Sequence, residues 1–203
     1  MSLLVYTAAY DGQHDQLDLL RHSCDRVGID LHRYGSGGYP GWAIAKLDHG
    51  IEFLKSRTED IAMWVDGFDS LVLHGQNEIV NRFRELDATA VIAAERSCWP
   101  DPKLSSYFPP SLGNEFPNAG GYIGYRDMLI QTLLMVRART DGENDQEGWC
   151  RTFASGMRHV KIDNHSHIFQ CMNSPVMNED PCVRHWNGKS PGRDEFWAQL
   201  SRS

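Results

Sequence analysis

Asp66 and Asp69 stand three residues apart in Met63-Trp64-Val65-Asp66-Gly67-Phe68-Asp69, directly after an apolar run. Two carboxylates at the end of a buried strand are costly unless their charge is compensated. A hard divalent cation, Mg²⁺ or Mn²⁺, compensates them by oxygen ligation. A turn in which Asp69 caps the following segment accounts for the same pair, and the spacing alone does not choose between the two.

His185 lies in Val183-Arg184-His185-Trp186-Asn187-Gly188-Lys189. Taken alone, a histidine is more often a core or surface residue than a ligand. Its neighbours add weight: Gly188 and Lys189 can bring backbone N–H groups and an ammonium to a phosphate. An imidazole beside two carboxylates favours Mn²⁺ over Mg²⁺. Asp145 closes the acidic run Asp141-Gly142-Glu143-Asn144-Asp145. It reads either as a solvated helix N-terminus or as a carboxylate facing a cleft. Trp99 and Tyr107, in a Pro-rich aromatic loop, either stack on a ligand ring or anchor the loop. His159, His165 and His167 have no metal-like spacing and read as structural. Gly35–Gly38 does not follow the first strand, so a Rossmann dinucleotide site is not supported.

The elements that must position these residues alternate. Leu3–Ala9 reads as a buried strand. Leu17, Leu19, Leu20 and Cys24 mark a helix closed near Gly28, and Ile29–Tyr34 a second strand, which together make a βαβ opening. After the loop Gly35–Gly41, Ile44, Leu47, Ile51 and Leu54 share a helix face, with Lys46 in its first turns. Ile61–Val65 is a third strand, Asn77–Leu86 a helix, and Ala90–Ala94 a strand ending at Glu95. Cys98–Pro117 reads as loop, Asn118–Tyr125 as a glycine turn feeding a strand, and Met128–Arg137 as a helix. An acidic turn leads into a helix around Trp149–Phe153, Val160–Ile162 is a strand, and the tail from Asn173 is irregular.

The pattern predicts one α/β domain over residues 1–203 with a mostly parallel central sheet. Ligands in such sheets sit at the carboxyl ends of the strands, which lines Thr7–Tyr10, Gly35–Gly41 and Asp66–Asp69 along one cleft.

A net charge of −7 with scattered Lys and Arg argues against a nucleic-acid footprint or a membrane-surface patch. Five cysteines, an odd number with no C-x-x-C pair, point to reduced thiols. The first residues lack the basic and apolar stretches of a signal peptide, and no run reaches membrane-span length. The expectation is a cytoplasmic protein.

In their order, several segments resemble one known family, the glycosyltransferase domain of the procollagen lysyl hydroxylases and its viral and bacterial relatives. They are Met63–Asp69, Ala93-Ala94-Glu95-Arg96-Ser97-Cys98-Trp99-Pro100, Phe116–Gly124, Asn144-Asp145-Gln146, Ile168-Phe169-Gln170 and His185-x-Asn187-Gly188. The resemblance implies a GT-A type, Rossmann-like nucleotide-sugar-binding fold, a UDP-sugar donor carrying glucose or galactose, and Mn²⁺. It implies metal ligation by Asp66, Asp69 and His185, and stacking of Phe68 on uracil. Thr7, Ala8, Ala9 and Gly67 fall on the nucleotide, and Gly188, Lys189 and Lys46 on the phosphates. Asp145 falls on the transfer step. Trp99, Asn118, Gly120, Gly121 and Gln146 fall on the sugar or on a hydroxyl acceptor, hydroxylysine-like or a glycan. Two positions depart from the family's pattern. Lys189 follows Gly188 directly, where two residues usually intervene, and the acidic run is shortened at Gly142, Glu143 and Asn144. A non-catalytic nucleotide-sugar-binding module is the competing expectation. A metal-dependent phosphohydrolase is another, although no further nucleophile or second metal set is evident.

Overall fold

The computed structural model describes all residues except 39, 40, 42, 109–112, 143, 176, 189 and 201–203. Its first half follows the predicted alternation, with one unexpected strand, β4: β1 (Leu3–Ala8), α1 (Asp18–Arg26), β2 (Leu31–Tyr34), α2 (Ala43–Lys55), β3 (Ile61–Val65), β4 (Ser70–Val72), α3 (Gln76–Glu85) and β5 (Ala90–Glu95). The second half contains β6 (Phe116–Tyr125), α4 (Arg126–Arg137), α5 (Asp145–Ala154), β7 (Val160–Ile162), β8 (Phe169–Cys171), β9 (Val183–His185) and α6 (Arg193–Leu200).

Among the described residues, the nine strands form one sheet in the order β2-β1-β3-β6-β5-β8-β9-β4, with β7 also on β5. Pairing is parallel except where β6 runs antiparallel between β3 and β5, and β4 against β9. Strand β3 shows why the sheet is covered on both faces. Ile61, Met63 and Val65 point into one core with Leu20 and Cys24 of α1 and Ile79, Val80 and Phe83 of α3. Ala62 and Trp64 point into a second core with Leu47, Ile51 and Leu54 of α2 and Leu129, Leu133 and Val136 of α4. This is the period-2 rule applied to a strand buried on both sides. Ile44, expected on the buried face of α2, is exposed.

The sheet is strongly curled, and chain length requires it. Five strand spacings separate β3 from β4 in the sheet order, roughly 24 Å if the sheet were flat. The chain from Val65 to Ser70 reaches at most about 17 Å. Curling therefore brings the β9–β4 edge back over the end of β3. Since β1, β3, β5 and β9 all run the same way, their carboxyl ends share one rim, as does the start of β6.

The segment Asn118–Gly121, expected as a turn, lies within β6. Its glycines serve close approach. A β-carbon at Gly121 would lie 2.6 Å from the ring of Phe169, and one at Gly124 would lie 2.8 Å from the side chain of Ala90. The tail from Asn173, expected as irregular, contains β9, which pairs between β8 and β4, and α6. The loop expected over Cys98–Pro117 contains a short 3₁₀ helix, Pro102–Tyr107, and yields to β6 at Phe116.

Candidate active site

The rim encloses a cleft of about 730 Å³ lined by Asp66, Asp69, Glu95, Trp99, Asp145 and His185 among others. Asp66 is the first residue past β3, and its amide donates to the Gly120 carbonyl at 2.8 Å, extending the β3–β6 ladder. Asp69 immediately precedes β4, whose Ser70 pairs with His185 of β9, and the Trp186 amide donates to the Asp69 carbonyl at 2.8 Å. One ligand atom from each of Asp66, Asp69 and His185 lies within 4.8 Å of the others.

The electrostatics of this trio suit a cation. Burial pushes the Asp66 carboxyl above its ordinary value, and the neighbouring Asp69 charge adds to it. Burial opposes a charged His185, yet the Asp69 carboxylate outweighs it and holds the imidazole well above its usual range. Asp69 Oδ1 sits 3.1 Å from His185 Nε2, so one carboxylate and the imidazole already face each other across the site. Two carboxylates and one imidazole, with ligand atoms within 4.8 Å of one another, fit a divalent cation.

A gap in the sheet makes room for the imidazole. The β5–β6 register jumps from Ile92↔Tyr122 to Ala93↔Asn118, so Ala119, Gly120 and Gly121 have no β5 partners there. Side chains satisfy the freed amides: Asn118 Oδ1 accepts from Gly120 at 2.9 Å and Gln146 Oε1 from Ala119 at 3.3 Å. His185 packs directly on Gly120.

Lys46, on α2, places Nζ 2.7 Å from Asp145 Oδ2 and 4.6 Å over the Trp64 ring. Asp145 opens α5, where the Asn144 side chain caps the Gln146 amide. Lys46 also lines a small cavity of about 20 Å³ with Ala8, Tyr10, Gln13, Gly67 and Phe68, room for about one water. Thr7 and Ala9, expected at the nucleotide, are fully buried and do not line it; only Ala8 of the three does. Gly67 is glycine for packing: a β-carbon there would lie 2.4 Å from Leu17 and 2.9 Å from Thr7 Oγ1.

The remaining expected residues divide. Trp99, 55% exposed, Asn118, Gly120, Gln146 and Gly188 line the large cleft. Gly121 backs onto Phe169 instead. Tyr107 is 64% exposed on the 3₁₀ helix and is not part of the lining. Lys189 and Glu143 lie outside the described residues. His165 and His167 line a separate cleft with Glu85 and Asp163, and His159 accepts from Thr89 through its carbonyl.

The sequence placed Glu95 at the end of a strand and within one of the matching segments, with no role of its own. In the structure it ties the rim together. Its Oε1 accepts from Gln146 Nε2, and its Oε2 from Asn173 Nδ2 at 3.1 Å and Asn187 Nδ2 at 3.0 Å. The strand-end rule that singled out Asp66 applies equally to Glu95. Glu95→Gln is expected to cost about 1–3 kcal/mol of stability, because one amide donor then faces an NH₂ group. Urea unfolding will show a lower midpoint with an unchanged slope.

Solved glycosyltransferases share this fold. A glycosyltransferase involved in glycosylation of the major capsid of PBCV-1 superposes with a TM-score of 0.60 at 12% identity, covering 100% of both chains. The galactosyltransferase LgtC, solved with donor and acceptor sugar analogues, gives 0.60 at 12% identity over 98% of this chain and 95% of its own. The architecture is therefore the GT-A type that the sequence resemblance implied. Within that class, the chain belongs to the PLOD GT domain family, whose model matches residues 3–187. Relatives include the mouse procollagen-lysine,2-oxoglutarate 5-dioxygenase 2, 24% identical over 79% of this chain. The human multifunctional procollagen lysine hydroxylase and glycosyltransferase LH3 is 28% identical over 73% of it. The chain spans only about a fifth of their length, 22% and 20% respectively.

Proposed function

We propose that this domain transfers a hexose, glucose or galactose, from a UDP-sugar to a hydroxyl-bearing acceptor, with Mn²⁺ as cofactor. The observation that carries the reading is the convergence of Asp66, Asp69 and His185 on a cleft that also holds the Lys46–Asp145 pair. The acceptor classes we propose are a hydroxylysine-like side chain, in line with a relative named as both lysine hydroxylase and glycosyltransferase, or a glycan.

Asp66, Asp69 and His185 would hold the cation, which when bound neutralises the diphosphate as it leaves. Lys46 lines both cavities and can move its ammonium from Asp145 to a phosphate oxygen. That transfer frees the Asp145 carboxylate to take the acceptor's proton, or to stabilise positive charge at the anomeric carbon. Phe68 closes the smaller cavity and would rotate to stack on the base. Trp99 offers an exposed ring face to the acceptor.

A thermal-shift screen of UDP, GDP and their sugars, with and without Mn²⁺, tests the donor assignment. A ligand that binds only the folded state raises its stability by mass action. UDP with Mn²⁺ is expected to give the largest shift; a shift indifferent to metal and nucleotide would contradict the reading. Mn²⁺-dependent release of UDP from a UDP-sugar separates an enzyme from a binding module. Hydrolysis of simple phosphate esters would instead favour a phosphohydrolase. Lys46→Ala is expected to weaken UDP binding about tenfold, equal to about 1.4 kcal/mol, measured by calorimetry in Mn²⁺.

A further inference from the structure

The C-terminal helix α6 lies past residue 187, where the family match ends, yet it is docked against the metal-ligand loop. The Arg193 guanidinium donates through Nη1 to the carbonyl of Phe68, between Asp66 and Asp69. Phe196 packs on Trp186, with ring centroids 5.6 Å apart, and under the Arg184 guanidinium at 4.3 Å. Trp197 stacks on His22 of α1. The helix is thus anchored to β9 and to α1, and Arg193 reaches back from that anchor to the loop.

The start of the loop is held by the Asp66 amide on the Gly120 carbonyl and by Gly67 close against Leu17 and Thr7. In its second half, among the described residues, the Phe68 amide makes a long bond to Asp66 Oδ1, 3.4 Å, and Trp186 fixes the Asp69 carbonyl. A peptide carbonyl held by a charged donor is held more firmly than one held by a neutral donor. Fixing Phe68 and Asp69 sets where both carboxylates point.

We infer that Arg193 is a positioning residue for the Asp66–Asp69 loop, and that α6 is a clamp which preorganises the cation and donor site. The inference rests on the proposed donor reading for its binding consequence, but its local consequence is independent. Proximity of charge alone predicts the opposite sign. A nearby guanidinium repels a metal cation, so removing it would tighten metal binding. Positioning predicts that removing it loosens binding, in the range typical of lost outer-shell partners.

The test compares the wild-type chain with Arg193→Ala and Arg193→Lys. Hydrogen exchange is followed in the peptide covering residues 66–72, and UDP is titrated in the presence of Mn²⁺. Arg193→Ala is expected to exchange faster in that peptide and to bind UDP–Mn²⁺ about 10-fold more weakly, with the melting temperature unchanged. Arg193→Lys, which keeps a charged donor, is expected to recover part of both effects. Wild-type exchange in Arg193→Ala, or unchanged or tightened binding, overturns the clamp. If the wild-type chain binds no UDP with Mn²⁺, the donor reading fails, and the exchange rate alone decides the clamp: faster exchange supports it and wild-type exchange overturns it.

Discussion

Gly120→Ala is expected to abolish metal-dependent UDP binding while leaving the fold intact. A β-carbon at Gly120 would lie 2.0 Å from Cε1, 2.5 Å from Nδ1 and 2.7 Å from Nε2 of His185. No side-chain atom tolerates such distances, so the imidazole must leave. It cannot simply settle beside the new methyl group. His185 is buried, with Cys171 Sγ 3.9 Å from Nδ1 and Asp69 on its other nitrogen. Displacing it costs about 1–3 kcal/mol of overpacking, and it also removes one of the three convergent ligands. Losing an outer-shell partner weakens a metal site roughly 10–100-fold, and loss of a direct ligand is expected to exceed that. Calorimetry in Mn²⁺ measures the affinity, and a melting curve confirms that the variant folds. A Gly120→Ala protein with wild-type affinity would mean that His185 is not a ligand.

Asp69→Ala is expected to have an effect of similar size for a different reason. The side chain joins the two halves of the site, since its Oδ1 lies 3.1 Å from His185 Nε2 and its charge raises the Asp66 carboxyl. Without it the imidazole loses the charge that holds its proton, and Asp66 loses the neighbour that raises its carboxyl. Metal-free, the variant is expected to melt below the wild type, because loss of the buried Asp69–His185 pair outweighs the relieved repulsion between the two carboxylates. With Mn²⁺ and UDP present, the wild-type chain should gain a melting shift that the variant lacks. Asp69→Ala melting like the wild type under both conditions would contradict this account of Asp69.

These two variants also mark what could be read in the sequence. Asp66 and Asp69 were legible because β3 is an uninterrupted apolar run, and its end at Val65 was located to the residue. Glu95 obeyed the same rule at the end of β5, but its significance depends on Gln146, Asn173 and Asn187, which only folding assembles. His185 carried no local metal spacing; its neighbours Gly188 and Lys189 and then the order of motifs along the chain brought it forward. Gly120 and Gly121 were misread because a Gly-Gly pair is a turn signal. In this fold their missing side chains make space inside a strand for His185 and Phe169. The short strands β4, β8 and β9, of three residues each, have too few residues to show a period of two. The curl that unites the site follows from the link between β3 and β4, and that link is invisible until β4 is known to pair with β9.

Titration of UDP into the wild-type chain, once with Mn²⁺ and once with a chelator, probes the Asp66–Asp69–His185 site most directly. Saturable one-site binding in Mn²⁺ that vanishes in chelator is the predicted result. Equal affinity under both conditions, or no binding under either, would contradict a metal-held diphosphate at the end of β3.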